Sequence, residues 1–196
     1  MKEHNQSNII PFPGAEVLDG ILQVRIELLL MPLPVWRRIL VPGTFSFWDL
    51  HVAIQDAMGW EDKHLHQFTL DDPATGERVR LGIPDDSGFY AVNEVLPDWD
   101  HRVRRYLKPG ALPALYTYDF GDDWQHEVQL EASLPADGSQ ILPSCLAGEG
   151  VCPPEDCGGP AGCADLLKVG LGGEFTPETV VFDDPKARWE RAFRHD

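Results

Sequence analysis

From Trp124 to Ala132 the chain alternates without a break, with Trp124, His126, Val128, Leu130 and Ala132 set against Gln125, Glu127, Gln129 and Glu131. A repeat of two with one apolar side is the pattern of a half-buried antiparallel strand. Just before it stand an aromatic run, Tyr116-Thr-Tyr-Asp-Phe120, and an acidic turn, Gly121-Asp-Asp123. Residues 115–120 and 124–132 therefore read as a hairpin folded about Asp122 and Asp123. The same parity turns His126 toward the apolar side. A core-facing imidazole close to carboxylates is either a histidine satisfied by a hydrogen bond or a place for chemistry or a metal.

The rest of the chain supplies partners for that hairpin. Residues 23–30 and 35–41 read as strands separated by Pro32 and Pro34, and residues 64–70 return to a period of two. Between them, Phe47, Leu50, Ile54 and Met58 fall on one helical stripe. Ser46 and Asp49 fit a capping box, and Gly59 is a natural stop. The opening is thus strand, strand, helix, strand, an order shared with ubiquitin-like and other small α+β folds. Residues 71–114 are mixed in character, with a short helix expected within 97–107. A long ordered loop rich in Pro, Gly and Cys is expected over 135–163. A last helix is expected over Pro185–Phe193, with Asp184 as its cap. The fold expected is a single α+β domain, residues 21–196, with a mixed or antiparallel sheet. Residues 1–20 read as a flexible polar leader.

A chain of 196 residues with this apolar content can bury about 70% of its unfolded surface as one domain. Its 32 acidic and 16 basic side chains give a net charge of −16, which favours solubility and repels phosphate backbones. One local cluster, Arg102, Arg104, Arg105 and Lys108, runs the other way and reads as a solvated helix face. There is no apolar run of ~18 residues and no secretory pattern at the start. A cytoplasmic location without membrane association is the expectation.

Two constellations carry the candidate chemistry. Cys145, Cys152, Cys157 and Cys163 lie within 19 residues. In a chain expected to be cytoplasmic, where thiols stay reduced, they argue against disulfides and read either as four small loop residues or as the ligands of a structural zinc, with the surrounding Gly and Pro supplying the turns. His64 and His66, two apart on a strand, should share a face with Phe68 and Leu70. If that strand neighbours the one bearing His126, the three imidazoles converge with Asp119, Asp122 or Glu155. They would then suit a hydrolytic metal with an open coordination position. Packing beside Trp60 and Trp124 is the plainer alternative for these histidines. Glu155 and Asp156, after a rigid diproline, either cap the following turn or perform acid–base work. Nucleotide-binding glycine loops and the nucleophile-elbow motif are absent from the sequence.

The segment from Tyr116 to His126 resembles the plasmid pRi open-reading-frame-three-like family, some of whose members carry a transposon-passenger TnpR-type label. The resemblance continues at Trp36-Arg-Arg-Ile-Leu-Val-Pro42, at Leu50-His-Val-Ala-Ile-Gln-Asp-Ala-Met-Gly-Trp60 followed by His64-Leu-His-Gln-Phe68, and at Cys152-Pro-Pro-Glu-Asp-Cys-Gly-Gly159. Together these blocks span about residues 21 to 170. The family is largely uncharacterised, so the resemblance implies little about activity. It implies cysteine at positions like Cys145, Cys152 and Cys157 and often tyrosine where Cys163 stands. A three-cysteine site completed by a histidine is therefore an alternative to four cysteines.

Three classes of function follow, in this order. The first is an interaction or regulatory module with a structural zinc and an unidentified protein or small-molecule partner. The second is a metal-dependent hydrolase using His64, His66 and His126. A DNA-acting protein, as the resolvase label suggests, ranks last, because four clustered basic residues release few counterions from a polyanion. Accordingly, an anisotropy titration with duplex DNA at ~150 mM salt is expected to show no sequence-selective binding below the micromolar range.

Overall fold

The computed structural model describes residues 20–84, 95–136, 138–163 and 174–193; the leader expected over residues 1–20 lies outside them except for Gly20. The first strand, β1 (Ile21–Leu28), alternates between fully and partly buried positions and is flanked on both sides. It pairs antiparallel with β2 (Val35–Pro42) and with β7 (Trp124–Leu134). β7 in turn pairs antiparallel with β6 (Ala114–Tyr118), which confirms the hairpin read from the alternation. β6 pairs with β3 (His66–Asp71), and β3 with β4 (Arg78–Gly82). With β5 at Leu96–Pro97 and β8 at Ser144–Glu149, the sheet among the described residues has eight strands in the order β5-β4-β3-β6-β7-β1-β2-β8. Only the contact of β4 with the two-residue β5 (Leu96–Pro97) is parallel.

The register shifts between Gln23 and Val24, which pair with Ala132 and Leu130, so Glu131 is the extra residue of a β-bulge. Its carboxylate accepts two hydrogen bonds from Arg38, at 2.6 and 2.7 Å, and one from Gln23 at 2.8 Å. The strict alternation of β7 holds as far as Leu130 and loosens beyond it.

Helix α1 (Phe47–Met58) covers the inward face of the sheet. Ser46 and Asp49 form the capping box, and Gly59 ends the helix in the left-handed region at φ 82°. The expected stripe of Phe47, Leu50, Ile54 and Met58 lies in the core with Val24, Ile26, Ile39, Phe68, Tyr116 and Trp124. The final helix, α4 (Pro185–Ala192), starts where expected, with Asp184 accepting from the amides of Lys186 and Ala187. It is tied to α1 through Arg188, whose guanidinium reaches Asp56 at 2.6 Å and Asp183 at 3.2 Å. The Trp48 indole donates to the Pro185 carbonyl at 3.1 Å.

Three expectations change. The short helix expected within 97–107 is divided into a 3-10 turn at Asp98–Asp100 and a single helical turn, α2 (Val103–Tyr106). Between them Arg102 is extended and forms a β-bridge with Ser46. The irregular stretch after residue 71 contributes β4 and β5. The cysteine-rich stretch contributes an edge strand, β8 (Ser144–Glu149), paired with β2, and later one helical turn, α3 (Gly159–Gly162). Small residues such as Ser144, Ala147 and Gly148 give β8 no apolar period, so its strand character comes from pairing. No helix among the described residues is long and apolar enough to cross a membrane.

Candidate functional site

β6 ends at Tyr118, and Asp119 turns the chain with φ 52°; Asp123 does so again with φ 53°. Aspartate tolerates this left-handed region because its short carboxylate bonds nearby amides. Here Asp119 Oδ1 accepts from the amides of Gly121 at 2.9 Å and Asp122 at 3.3 Å. Its other oxygen faces His64 Nε2 at 3.5 Å.

The segment after Cys152 packs against this turn. Trp60 Nε1 donates to the Pro153 carbonyl at 2.8 Å, and the Glu61 amide donates to Glu155 at 2.9 Å. The Tyr118 hydroxyl donates to the other Glu155 oxygen and accepts from the amides of Lys63 and His64. Burial and that carboxylate raise the Tyr118 phenol above its ordinary pKa. Asp122 accepts from the Gly158 amide at 3.1 Å. A methyl on Gly159, which has φ 67°, would lie 2.2 Å from the Asp122 carbonyl. Only glycine permits that approach. These clamps deliver Asp156, at φ 59°, to His64, with Oδ1 2.8 Å from Nε2.

One ligand atom each from His64, Asp119 and Asp156 thus lie within 4.8 Å of one another. The His64 side chain is 33% exposed, that of Asp156 58% and that of Asp119 12%. The trio is therefore anchored on one side and open on the other. All three belong to the residues singled out from sequence. Asp122 and Glu155 serve instead to hold the loop.

His66 and His126 go elsewhere. Both face the core, as parity required, and flank Tyr116 with centroids 5.9 and 5.2 Å from its ring. His64 precedes the strand and turns to Asp119 and Asp156, so among the described residues the three imidazoles do not form one ligand group. His126 is fully buried, and neither ring nitrogen has a hydrogen-bond partner. Trp60 and Tyr116 offer it ring surfaces rather than acceptors. Burial lowers its pKa to about 3, with backbone groups of Tyr116 and Trp124 opposing weakly.

His66 bonds Asp98 at 2.7 Å and stacks on His51 at 3.4 Å with the rings 5° from parallel. His51 bonds Asp62 and the Tyr116 hydroxyl, each at 2.8 Å. Two stacked rings cannot both charge cheaply. Burial first, and then His66, lowers His51 to about 4. His51 and Asp98 are not among the candidates the sequence offers; the signal for His51 is that it falls four residues after Phe47 and three before Ile54, on the buried helix stripe.

The cysteines are divided. Against the expectation of unpaired thiols, Cys157 and Cys163 form a disulfide, because the turn of α3 brings their Cα atoms to 5.6 Å, within disulfide reach, whereas Cys145 and Cys152 are free thiols. Burial raises the Cys152 thiol to about 12, opposed by nearby Arg37.

The whole arrangement sits within a recognisable protein class. Residues 20–176 match the family described as plasmid pRiA4b ORF-3-like proteins, and the chain belongs to that family. It is similar to the uncharacterized protein y4hQ of Sinorhizobium fredii, at 35% identity over 135 residues. The match covers 69% of this chain and spans 65% of that relative's length. It is also similar to a crystal structure of a protein of unknown function, MM3350, from Methanosarcina mazei Go1. There the TM-score is 0.76 and the identity 33%, covering 84% of this chain and 99% of that one.

Two outcomes follow from this geometry. Gly159→Ala should lower unfolding stability by about 2 kcal/mol in denaturant titration, since it adds both a backbone clash and an unfavourable φ. The second concerns acid. His51 and His126 have folded pKa values of about 4 and 3, below the ordinary 6.5. The unfolded chain therefore binds more protons below pH 6.5, and stability present above that pH is lost as pH falls toward 3–4. Each ring contributes up to about 1.4 kcal/mol per pH unit in that window. His126→Leu should flatten the loss, read from urea midpoints at pH 7, 5.5 and 4.5.

Proposed function

We propose that this protein binds one divalent cation through His64, Asp119 and Asp156 and uses it in metal-assisted hydrolysis. The observation that carries this reading is the approach of the three ligand atoms to within 4.8 Å on three separately anchored segments. Structural zinc sites usually close with four protein ligands, whereas catalytic sites keep a position for water. Three ligands with an open side belong to the second kind. A cation there would lower the pKa of a bound water and polarise a substrate oxygen. Mixed imidazole and carboxylate donors suit zinc or manganese.

A structural zinc on Cys145, Cys152, Cys157 and Cys163, in an interaction module, is the second reading. It is supported by the confinement of all four cysteines to 19 residues, and it requires the Cys157–Cys163 pair to be reduced.

One experiment separates the two. Protein stripped with chelator and kept reduced is titrated with Zn²⁺ and Mn²⁺ by calorimetry, beside His64→Ala, Asp119→Asn and Cys145→Ser variants. Metal-restored hydrolysis of p-nitrophenyl esters and phosphates is followed in parallel. Binding of about one equivalent, weakened at least tenfold by His64→Ala and Asp119→Asn but not by Cys145→Ser, is expected. Retention in the first two variants with loss in Cys145→Ser would assign the metal to the cysteines. Binding without any hydrolysis would reduce the proposal to a cation site.

A further inference from the structure

Arg37 occupies a core-facing position on β2, between Val35 and Ile39, and is only 2% exposed. Its Nε donates to the Ala57 carbonyl at 2.9 Å, near the C-terminal end of α1. Its Nη1 donates to the carbonyls of Trp36 and Glu149, each at 2.8 Å. The Phe175 ring lies over the guanidinium at 3.6 Å from Cζ. That ring fits because residue 148 is glycine; a methyl there would sit 2.4 Å from it.

These contacts satisfy part of the guanidinium's hydrogen bonding, but the carbonyls and the ring face that supply them carry no formal negative charge. Among the described residues no carboxylate lies within ion-pairing distance of Arg37, and its Nη2 makes no hydrogen bond. A cation withdrawn from water is costly to leave without a counter-charge, and burial indeed lowers the Arg37 pKa.

The same guanidinium lines a cavity of about 380 Å³, with Met58, Cys152, Phe175, Thr176 and Thr179 among the other walls. This is within the usual size of small-ligand pockets. Two acids also line it. Asp56 is committed, with one oxygen held by Arg188 at 2.6 Å and the other by the Asp183 amide at 2.8 Å. Glu174 is exposed and does not pair with Arg37.

We propose that this cavity binds a small organic anion, whose carboxylate or phosphate group engages Arg37 Nη2 while its apolar body rests on Met58 and Phe175. A planar guanidinium with a free edge is suited to either group. Thr179, in the 3-10 turn Pro177–Thr179, and Thr176, on its flank, stand on the same cavity wall, with the Thr179 hydroxyl donating to the Thr176 carbonyl at 2.7 Å. The site is independent of the His64 centre and stands whether or not that centre binds a metal.

The test reads the Arg37 Nε–Hε signal in ¹⁵N-labelled protein titrated with benzoate and, separately, with inorganic phosphate at constant ionic strength. A saturable shift with at least one probe is expected, and which probe saturates tells carboxylate from phosphate chemistry. Thr179 is exposed, so Thr179→Glu leaves the core intact while placing a fixed carboxylate at the cavity. That variant should lose the saturable shift while keeping the wild-type unfolding midpoint. No saturation with either probe up to about 50 mM, or an undiminished shift in Thr179→Glu, would overturn the assignment.

Discussion

Trp60 joins three parts of this protein that are far apart in sequence. Gly59 ends α1 in a left-handed turn, which swings the next side chain into the sheet. The Trp60 indole stacks on Tyr118 at 5.2 Å, packs against Trp124 and His126, and donates its N–H to Pro153. Helix, hairpin and cysteine-rich loop therefore share one buried aromatic contact. An aromatic ring with a polar edge suits this position, because it supplies packing area and satisfies a buried carbonyl at once.

The core around that contact tolerates an unusual load of polar groups. His51, His66, His126, Asp98, Gln55 and Arg37 are all nearly or fully buried. Most are absorbed into bonds between elements: Gln55 and His51 of α1 reach the Tyr116 hydroxyl of β6, and His66 of β3 reaches Asp98. His126 is the exception, held in a ring-lined box without a partner. Such groups cost stability when charged, so the native state depends on keeping the two depressed imidazoles neutral.

The two candidate sites lie on either side of one short segment. Cys152 lines the Arg37 cavity, and Asp156, four residues later, faces His64. Pro153 and Glu155 between them are fixed by Trp60, Glu61 and Tyr118. A rigid diproline segment clamped in this way sets the position of both flanks. The acidic composition has a local expression too: Arg188 serves Asp56 and Asp183 and lies 3.9 Å from Asp62, so one guanidinium stabilises several carboxylates.

Local periodicity determined much of this by itself. The β6–β7 hairpin, the α1 stripe with its capping box and glycine stop, and the Asp184 cap of α4 are all encoded in residues no more than a few positions apart. Backbone geometry makes such neighbours share a face. Parity likewise sent His66 and His126 inward. What the sequence could not decide was pairing at a distance. His64 meets Asp119 and Asp156 only because Gly159 permits the loop to approach the Asp122 carbonyl, and that contact joins residues far apart in the chain. β8 lacks any apolar period and becomes a strand because β2 offers an unpaired edge. The cysteines, evenly spread in sequence, were sorted into a pair and two free thiols by the path of the backbone. Tertiary packing, which no short-range pattern records, selected which polar groups meet.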